Sequence, residues 1–518
     1  MKIPLHSPLE YLRQELQRRD GGAPPAEVQT HISLLLLGAT RAWKVKKAVN
    51  LPYLDFSTPE RRLAICRREL MLNRRTAPAI YRKVMQLVRT PDGDLQLDGS
   101  GELVEAVLEM QRFDEQGLLD RMAASGKITP PLIGRLAHVL AEFHARAQPA
   151  LQLERSGSQR IGDVLRINEQ ALEEARAIHG TAAIDGLIGA TRAASRQHAP
   201  LLDRRQHDGH VRLCHGDLHL RNIVVIEGTP TLFDCLEFDE DMATIDVLYD
   251  LAFVLMDLWH RGAHGLANLL LNRYLDESPQ VDGLPLLGLF MSIRATVRGH
   301  VAATRALEMP QEDAPRPAVA GESRSYLDLA TRLLQARPAR LLAIGGLSGS
   351  GKSTAAAAVA SVVGSAPGAR VFSSDRIRKA LHGVRPEARL GIEAYQPAVS
   401  AKVYAILRER AAAVLASGHS VVVDAVFDRQ DERDSIAAVA HGLGLGFQGI
   451  WLEAPEAVLL ERVAARRGDP SDADTEVVRR QLARDVGDIG WNRLAADGSD
   501  SDWSRLLALV ADGAPGLR

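Results

Sequence analysis

Cysteine is scarce in this sequence of 518 residues: Cys66, Cys214 and Cys235 lie far apart and form no CxxC pair. This scarcity excludes a disulfide framework, gives no zinc signature and indicates a reducing compartment. No apolar run approaches the roughly 20 residues that a membrane-spanning helix needs. The first residues carry a proline and acidic side chains where a signal peptide needs an apolar segment. We therefore expect a cytoplasmic protein.

An excess of charge of one sign is also missing, since the formal net charge is −2. A general polyanion-binding surface needs an excess of lysine and arginine, so such a surface is not expected, although a local basic groove stays open. An apolar content of 46% with 25% charged residues is typical of a globular protein. The length exceeds what one core usually supports, which predicts at least two domains.

Residues 346–353 read GLSGSGKS and match the phosphate-binding-loop pattern at every fixed position. An apolar strand at 341–344 precedes this loop and a helix-forming run at 354–360 follows it, so a chance Gly/Ser turn fits the context less well. Backbone amides in such a loop surround phosphate oxygens, the lysine reaches the β- and γ-phosphates, and the final serine ligates Mg²⁺. The residues predicted to bind ATP here are Gly346, Ser348, Gly349, Ser350, Gly351, Lys352, Ser353 and Thr354.

The neighbours of this loop favour a kinase over a motor ATPase. The strand SVVVDAVF offers Asp424 as a metal ligand, but Ala425 stands where a motor usually has a second carboxylate that activates water. Asp375 and Arg378 follow the second predicted strand at a spacing that places both on one face of a helix. We assign Asp375 as the base for an acceptor hydroxyl and Arg378 as a ligand of substrate or phosphoryl oxygens. The alternative is a helix cap beside a solvated arginine.

An arginine-rich segment, LLERVAARRGDPSDAD, contributes Arg462, Arg466 and Arg467 ahead of a Gly/Asp/Pro/Ser loop. It suits a lid that brings cations over the phosphates, or else a solvated basic helix face. Together these features resemble the P-loop kinases that include polynucleotide 5′-hydroxyl kinases, zeta-toxin-type kinases and many small-molecule kinases. The resemblance implies a parallel sheet between helices and ATP-dependent phosphorylation, with an acceptor that varies among members.

A second constellation lies upstream in CHGDLHLRNIVV, followed by LFDCLEFD. His215-x-Asp217, then Asn222 five residues after that aspartate, then Asp234 on the next strand, follows the order of a protein-kinase catalytic loop. Asp217 would receive the acceptor proton, while Asn222 and Asp234 would hold Mg²⁺. The alternative is a hairpin of buried polar residues without chemistry.

Gly216, in place of the usual arginine, and the later IDVLYDLAF with Asp246 and Asp250 resemble aminoglycoside phosphotransferases and choline or homoserine kinases. In that family the second aspartate commonly supports the catalytic loop. The resemblance further implies a phosphate-contacting strand lysine, with Lys44 preferred over Lys46, a helix partner Glu69 for that lysine, a hinge at 108–119 that meets adenine, and a helix after the hinge that carries His144. One departure is the lack of a GxGxxG loop between the first strands, where Gly38 is the single glycine.

The fold prediction is α/β and α+β in two domains. Residues 1–337 form a protein-kinase-like bilobal domain, and residues 338–518 form a P-loop domain with a parallel sheet between helices. The whole arrangement resembles bacterial bifunctional aminoglycoside phosphotransferase/ATP-binding proteins. We expect two kinase sites that use ATP and Mg²⁺ on small hydroxyl acceptors. The alternatives are a regulatory ATP-binding protein, and a nucleic-acid 5′-hydroxyl kinase acting through the second domain.

Overall fold

The computed structural model describes residues 7–30, 32–51, 54–150, 154–310, 313–466, 471–496 and 500–512. In its first part the elements are α1 (Pro8–Arg19), β1 (Ala26–Gln29), β2 (Ser33–Leu37), β3 (Arg41–Lys46), β4 (Asn50–Leu51), β5 (Leu54–Asp55), α2 (Pro59–Asn73), β6 (Tyr81–Arg89), β7 (Leu95–Leu97), β8 (Glu102–Gln111), α3 (Leu119–Ala124) and α4 (Pro130–Arg146). The middle part contains α5 (Gly157–His179), α6 (Thr181–His207), β9 (Val211–Leu213), β10 (Ile223–Ile226), β11 (Thr229–Leu232), α7 (Glu240–Ala243), β12 (Thr244–Asp246), α8 (Val247–His260), α9 (His264–Glu277), α10 (Leu287–Glu308) and α11 (Arg316–Leu333). The last part contains β13 (Arg340–Gly346), α12 (Lys352–Ala360), β14 (Arg370–Ser373), α13 (Ser374–Leu381), α14 (Pro397–Ala416), β15 (Val421–Asp424), α15 (Gln430–Gly442), β16 (Gly446–Glu453), α16 (Glu456–Ala465), α17 (Thr475–Leu482), β17 (Asn492–Ala495) and α18 (Asp500–Asp512).

The chain forms two compact units. The first is Met1–Gly157 with Asp203–Asp257, and the second is Ser158–Leu202 with Leu258–Arg518. The predicted boundary at 337–338 falls inside the second unit, because helix α9 packs against the P-loop part of the chain, on α12 and on the residues around β14. The assignment of residues 1–337 and 338–518 to separate domains stays a prediction.

The first unit contains a six-stranded sheet with the order β1-β2-β3-β8-β6-β7, in which each pair of neighbours is antiparallel. Side chains alternate between its two faces. On β3, Trp43 and Val45 enter a core with α1, while Ala42 enters a core with α2. The same alternation sends Lys44 and Lys46 to the α2 face.

The second unit contains a parallel sheet with the order β14-β15-β13-β16-β17. Ile344, Val422 and Ile450, on its three central strands, share a buried core with the alanine-rich helix α12. The prediction of a kinase-like region followed by a P-loop region with a parallel sheet between helices is therefore confirmed. Within the described residues, no helix has both the length and the apolar character needed to cross a bilayer.

The start of helix α11 is earlier in the chain than the sequence predicts. The sequence predicts an exposed loop at 309–317 and a helix that begins at Tyr326, but α11 already begins at Arg316. Pro317 sits in the first turn, where a missing N–H leaves no hydrogen bond unmade. Val319 and Ser323 are buried on the added turns. The proline therefore marks the start of the helix and not a break before it.

Candidate functional site

A lysine and two carboxylates meet on the α2 face of β3. Lys44 Nζ lies 2.7 Å from Glu69 Oε1, on α2, and 2.6 Å from Asp234 Oδ1. Burial alone would lower the pKa of Lys44, but Asp234 and Glu69 raise it well above its ordinary value. Burial likewise works against ionisation of Asp234, yet Lys44 lowers the pKa of that carboxyl to about 2. Lys44 and Asp234 are therefore both charged, as a phosphate and metal site requires.

Lys46, two residues along the same strand, belongs to the buried side of this cluster. Its Nζ lies 2.7 Å from Glu69 Oε2 and 2.5 Å from Glu237 Oε1, and its side chain is 1% exposed. Lys44 is instead beside Asp234, whose side chain is 39% exposed. The structure therefore favours Lys44 as the phosphate-contacting lysine. The Lys46–Glu237 pair was missed by sequence reasoning, although Glu237 stands only three residues after Asp234.

The catalytic-loop residues lie between β9 and β10. Asn222 ends a short 3₁₀ helix and donates its amide to Asp217 Oδ2 at 3.0 Å and to the Asp217 carbonyl at 2.9 Å. The Asp217 side chain is 40% exposed and lies 3.6 Å from His219 Nε2. Asp217 is thus held in place and remains accessible to an acceptor.

Asp250, on α8, holds the backbone of this loop through hydrogen bonds. Its carboxylate accepts hydrogen bonds from the amides of His215 (3.1 Å) and Gly216 (3.0 Å), and His144 Nε2 lies 3.2 Å away. Gly216 has φ +85°, and a Cβ there would come within 2.9 Å of Leu236 Cβ. A glycine is therefore needed at this position.

Asp246 and Asp257, which follow the catalytic loop in the chain, contact different residues. Asp246, which the family resemblance groups with Asp250, instead forms an ion pair of 2.7 Å with the buried Arg205. Asp257 was not predicted from the sequence, and its carboxylate accepts from the Leu220 amide at 3.1 Å.

The connection that would hold a glycine-rich loop lies between β1 and β2, and residue 31 within it is outside the described residues. Gly38 is in the next turn, between β2 and β3, where the Asp20 carboxylate accepts from the amides of Thr40 (2.9 Å) and Arg41 (3.2 Å). The amides of that turn are thus bound to protein.

The phosphate-binding loop of the second unit connects β13 to α12. Gly349 and Gly351 have φ of +91° and +90°, in the left-handed region that favours glycine. A Cβ on Gly349 would come within 2.6 Å of the Leu459 carbonyl, whereas nothing lies within 4 Å of one built on Gly351. Gly351 is the N-cap of α12, so the helix N-terminus points its free amides at the loop. This backbone fits a phosphate group.

Ser353, Asp424 and Lys352 form the polar centre of that loop. Ser353 Oγ donates to Asp424 Oδ2 at 2.5 Å, and Lys352 Nζ donates to the Leu347 carbonyl at 2.9 Å. Burial lowers the pKa of Lys352 against the opposing pull of Asp424, and it raises the pKa of Asp424 against the pull of Lys352. A serine hydroxyl beside a carboxylate is a donor set that suits Mg²⁺.

A cavity of about 960 Å³ brings most of the predicted P-loop site together. Asp375 borders it from α13, and burial raises the pKa of this carboxyl, as suits a base. Arg378 borders it too, but its Nη1 donates to the Ala394 carbonyl at 2.6 Å and its guanidinium lies over the Tyr395 ring at 4.7 Å. The predicted residues on the wall are Ser348, Gly349, Gly351, Lys352, Ser353, Thr354, Asp375, Arg378, Asp424, Arg462 and Arg466.

A smaller pocket of about 260 Å³ adjoins the loop and is lined mainly by apolar residues of β16, β17 and α18. Ser350 and Arg462 border it, and Arg462 donates to the Ala496 carbonyl at 2.8 Å. Gly346 borders neither space; its amide donates to the Val426 carbonyl at 3.1 Å. Arg467, the third arginine of the predicted lid, is outside the described residues.

Sequence reasoning missed several residues on the cavity wall, among them Gln481, Asp428 and Asp472. Gln481 Oε1 accepts from the Ser348 amide at 2.8 Å, and Asp428 pairs with Arg484 at 2.7 Å. Asp472 accepts from Lys379 Nζ at 2.5 Å and from the Tyr395 hydroxyl at 2.6 Å. Of these residues only Asp428 had a local signal in the sequence, since it follows Asp424 by four residues.

Two family models match separate parts of the chain. The phosphotransferase enzyme family matches residues 56–284, which include the catalytic loop, and an AAA domain family matches residues 341–485, which include the phosphate-binding loop. Proteins of Mycobacterium tuberculosis (strain ATCC 25618 / H37Rv) and Mycobacterium bovis, both described as uncharacterized, are 30% identical over 478 residues. The match covers 88% of this chain and 89% of theirs.

Two solved structures illustrate the separate likenesses. A choline/ethanolamine kinase family protein from Mesorhizobium loti is 12% identical, covers 63% of this chain and 98% of its own, and has a TM-score of 0.37. An APS kinase of Mycobacterium tuberculosis is 21% identical, covers 34% of this chain and 98% of its own, and has a TM-score of 0.25.

Proposed function

We propose that this chain, which belongs to the family of its mycobacterial relatives and is an ATP-dependent phosphotransferase, is bifunctional. Each site would transfer the γ-phosphate of ATP to a hydroxyl group of a different small molecule. One observation carries the proposal: each unit has its own complete set of cation, metal-ligand and base candidates. Neither set borrows a residue from the other unit.

In the first unit we assign Lys44 to the phosphates and Glu69 to the orientation of that lysine, on the strength of their 2.7 Å contact. Asn222 and Asp234 would hold Mg²⁺, which neutralises charge on the phosphates when bound. Asp217 would accept the proton of the attacking hydroxyl. Its hydrogen bond from the Asn222 amide aims the base, and its exposure admits the acceptor.

In the second unit the loop amides and Lys352 would bind the phosphates, and Ser353 with Asp424 would hold Mg²⁺. Asp375, on the wall of the same cavity, would accept the acceptor proton, with Arg462 and Arg466 providing positive charge. The smaller apolar pocket beside Ser350 suits a nucleoside base. Arg378 would contact an acceptor through a guanidinium nitrogen other than Nη1, because the Ala394 carbonyl accepts from Nη1.

The test compares Asp217→Asn with Lys352→Ala in the full chain, using ADP release over a panel of sugars, amino alcohols and nucleosides. Each substitution removes a group that acts in the transition state, so we expect a loss of about 10²-fold or more at its own site. Asp208→Asn and Lys402→Ala change the same residue types at exposed positions and serve as matched controls.

Two acceptors, each lost in only one variant, support bifunctionality. A single activity that both variants abolish equally favours the alternative, in which one nucleotide domain regulates the other. Phosphorylation of a 5′-hydroxyl oligonucleotide that requires Lys352 would instead favour a nucleic-acid kinase. A cytoplasmic location is part of the proposal, and localisation of a tagged chain tests it.

A further inference from the structure

Helix α9 supplies hydrogen-bond partners to the edge strand of the P-loop sheet, within the second unit. Strand β14 is the first in the order β14-β15-β13-β16-β17, so among the described residues one side of it has no strand neighbour. Asn272 Oδ1 accepts from the Val371 amide at 2.7 Å, and its Nδ2 donates to the Ala369 carbonyl at 3.1 Å. Asn268 Nδ2 donates to the same carbonyl at 3.0 Å. Backbone groups that an edge strand would leave unpaired are thus satisfied by α9.

Charged groups extend this contact toward α13. Arg370, buried at the start of β14, donates to Asn272 Oδ1 at 2.9 Å and to Asp276 Oδ1 at 2.6 Å. The other oxygen of Asp276 lies 2.9 Å from Arg376 Nη2. Although burial opposes ionisation of Asp276, Arg370 and Arg376 hold the pKa of this carboxyl below its ordinary value. Arg376 directly follows Asp375 in the chain.

We propose that Asp276 is a positioning residue for the P-loop kinase site: through Arg370 and Arg376 it fixes the β14–α13 junction that presents Asp375. The inference rests on the base role that the proposed function gives to Asp375. Asp276 touches no substrate and acts through the two arginines.

The junction has little freedom to compensate for a lost contact. Strand β14 ends at Ser373 and α13 begins at Ser374, so any shift of the strand moves Asp375 with it. A displacement of about 1 Å in a reacting group can cost about 10²-fold in rate. Helix α9 also lies inside residues 56–284, the part matched by the phosphotransferase family. A segment assigned by sequence to one kinase thus supports the junction beside the proposed site of the other.

The experiment uses the full chain that carries Asp217→Asn as the background, so that the remaining ADP release comes from the P-loop site. A companion variant that carries Lys352→Ala in addition gives the ADP release that does not depend on Lys352, and its rate is subtracted. Asp276→Asn keeps the shape and removes the charge, Asp276→Glu restores the charge, and Glu308→Gln is the control for loss of one exposed carboxylate. Three quantities are measured: amide hydrogen exchange over residues 370–378, kcat, and KM for ATP.

For Asp276→Asn we expect exchange over 370–378 to rise about tenfold, because local opening sets the rate. The kcat should fall about tenfold or more, with KM for ATP within about twofold because the phosphate-binding loop is untouched. Asp276→Glu should partly reverse both the faster exchange and the lower kcat, and Glu308→Gln should match the background in both.

Unchanged exchange, or faster exchange with an unchanged kcat, overturns the positioning role. A raised KM with an unchanged kcat also overturns it, in favour of a role in ATP binding. If the background shows no ADP release that depends on Lys352, the proposed function of the P-loop site fails. The exchange result still decides whether Asp276 holds the junction.

Discussion

Replacing Lys46 with methionine tests whether the buried half of the lysine–carboxylate cluster has a structural role. Lys46 Nζ holds both Glu69 (2.7 Å) and Glu237 (2.5 Å), and the three side chains are 1%, 0% and 7% exposed. Breaking a buried ion pair costs about 3–5 kcal/mol because a charge is left without a partner. Glu69 keeps Lys44 at 2.7 Å, so we expect the low end, about 3 kcal/mol.

The loss should grow as the pH rises. Burial and the neighbouring Glu69 raise the pKa of Glu237 against the pull of both lysines, and removal of Lys46 raises that pKa further. A carboxyl with a raised pKa binds more protons when folded than when unfolded, so its contribution to stability falls as the pH rises through that range. The destabilisation of Lys46→Met relative to the unmodified protein should therefore be greater at pH 8 than at pH 5.

Scanning calorimetry measures the effect, and hydrogen exchange over β3 and α2 assigns it to the first unit. For a domain of this size, about 3 kcal/mol corresponds to a Tm lower by roughly 6–12 °C. Lys47→Met is the matched control, since Lys47 is the next residue and makes exposed contacts with Thr30 and Gln29; it should cost no more than about 0.5 kcal/mol. Equal melting temperatures of the Lys46 and Lys47 variants, or a stability deficit that shrinks with rising pH, would rule out this structural role for Lys46.

Three further outcomes follow from the sites. Gly349→Ala should weaken ATP binding at the P-loop site more than Gly351→Ala in nucleotide titrations, because only the first Cβ meets the Leu459 carbonyl; equal losses would contradict the steric argument. Burial lowers the pKa of His215, but Cys235 and neighbouring carboxylates raise it to about 9. The stability contribution of this histidine is complete below pH 6.5 and lost as the pH rises through about 9, so urea unfolding of the first unit between these values should show a decline that a glutamine variant lacks. Chelation of Mg²⁺ should abolish ADP release at both sites, and restoration by Mg²⁺ of the Lys352-dependent release in the parent but not in Asp424→Asn would identify the P-loop metal ligand.

Contiguous motifs are the part of the fold and of the candidate site that sequence reasoning could predict. The phosphate-binding loop was predictable from residues 346–353 because its conformation depends on local glycine torsions and on the start of a helix. The same holds for Asp217 and Asn222, five residues apart, which meet through one short 3₁₀ helix. The strand that carries Lys44 was equally readable, since period-two alternation fixes which side chains share a face.

The partners that the side chains on these elements meet depend on how distant parts of the chain pack together. Lys44 and Lys46 are equivalent by alternation, and it is the packing of Glu237 and Asp234 around β3 that separates a buried lysine from one beside the exposed carboxylate. The pairing of Asp276 with Arg370 joins positions about a hundred residues apart, which no local pattern encodes. Torsional preferences act within a few residues, whereas ion pairs and buried hydrogen bonds form between whatever groups the packed chain brings together.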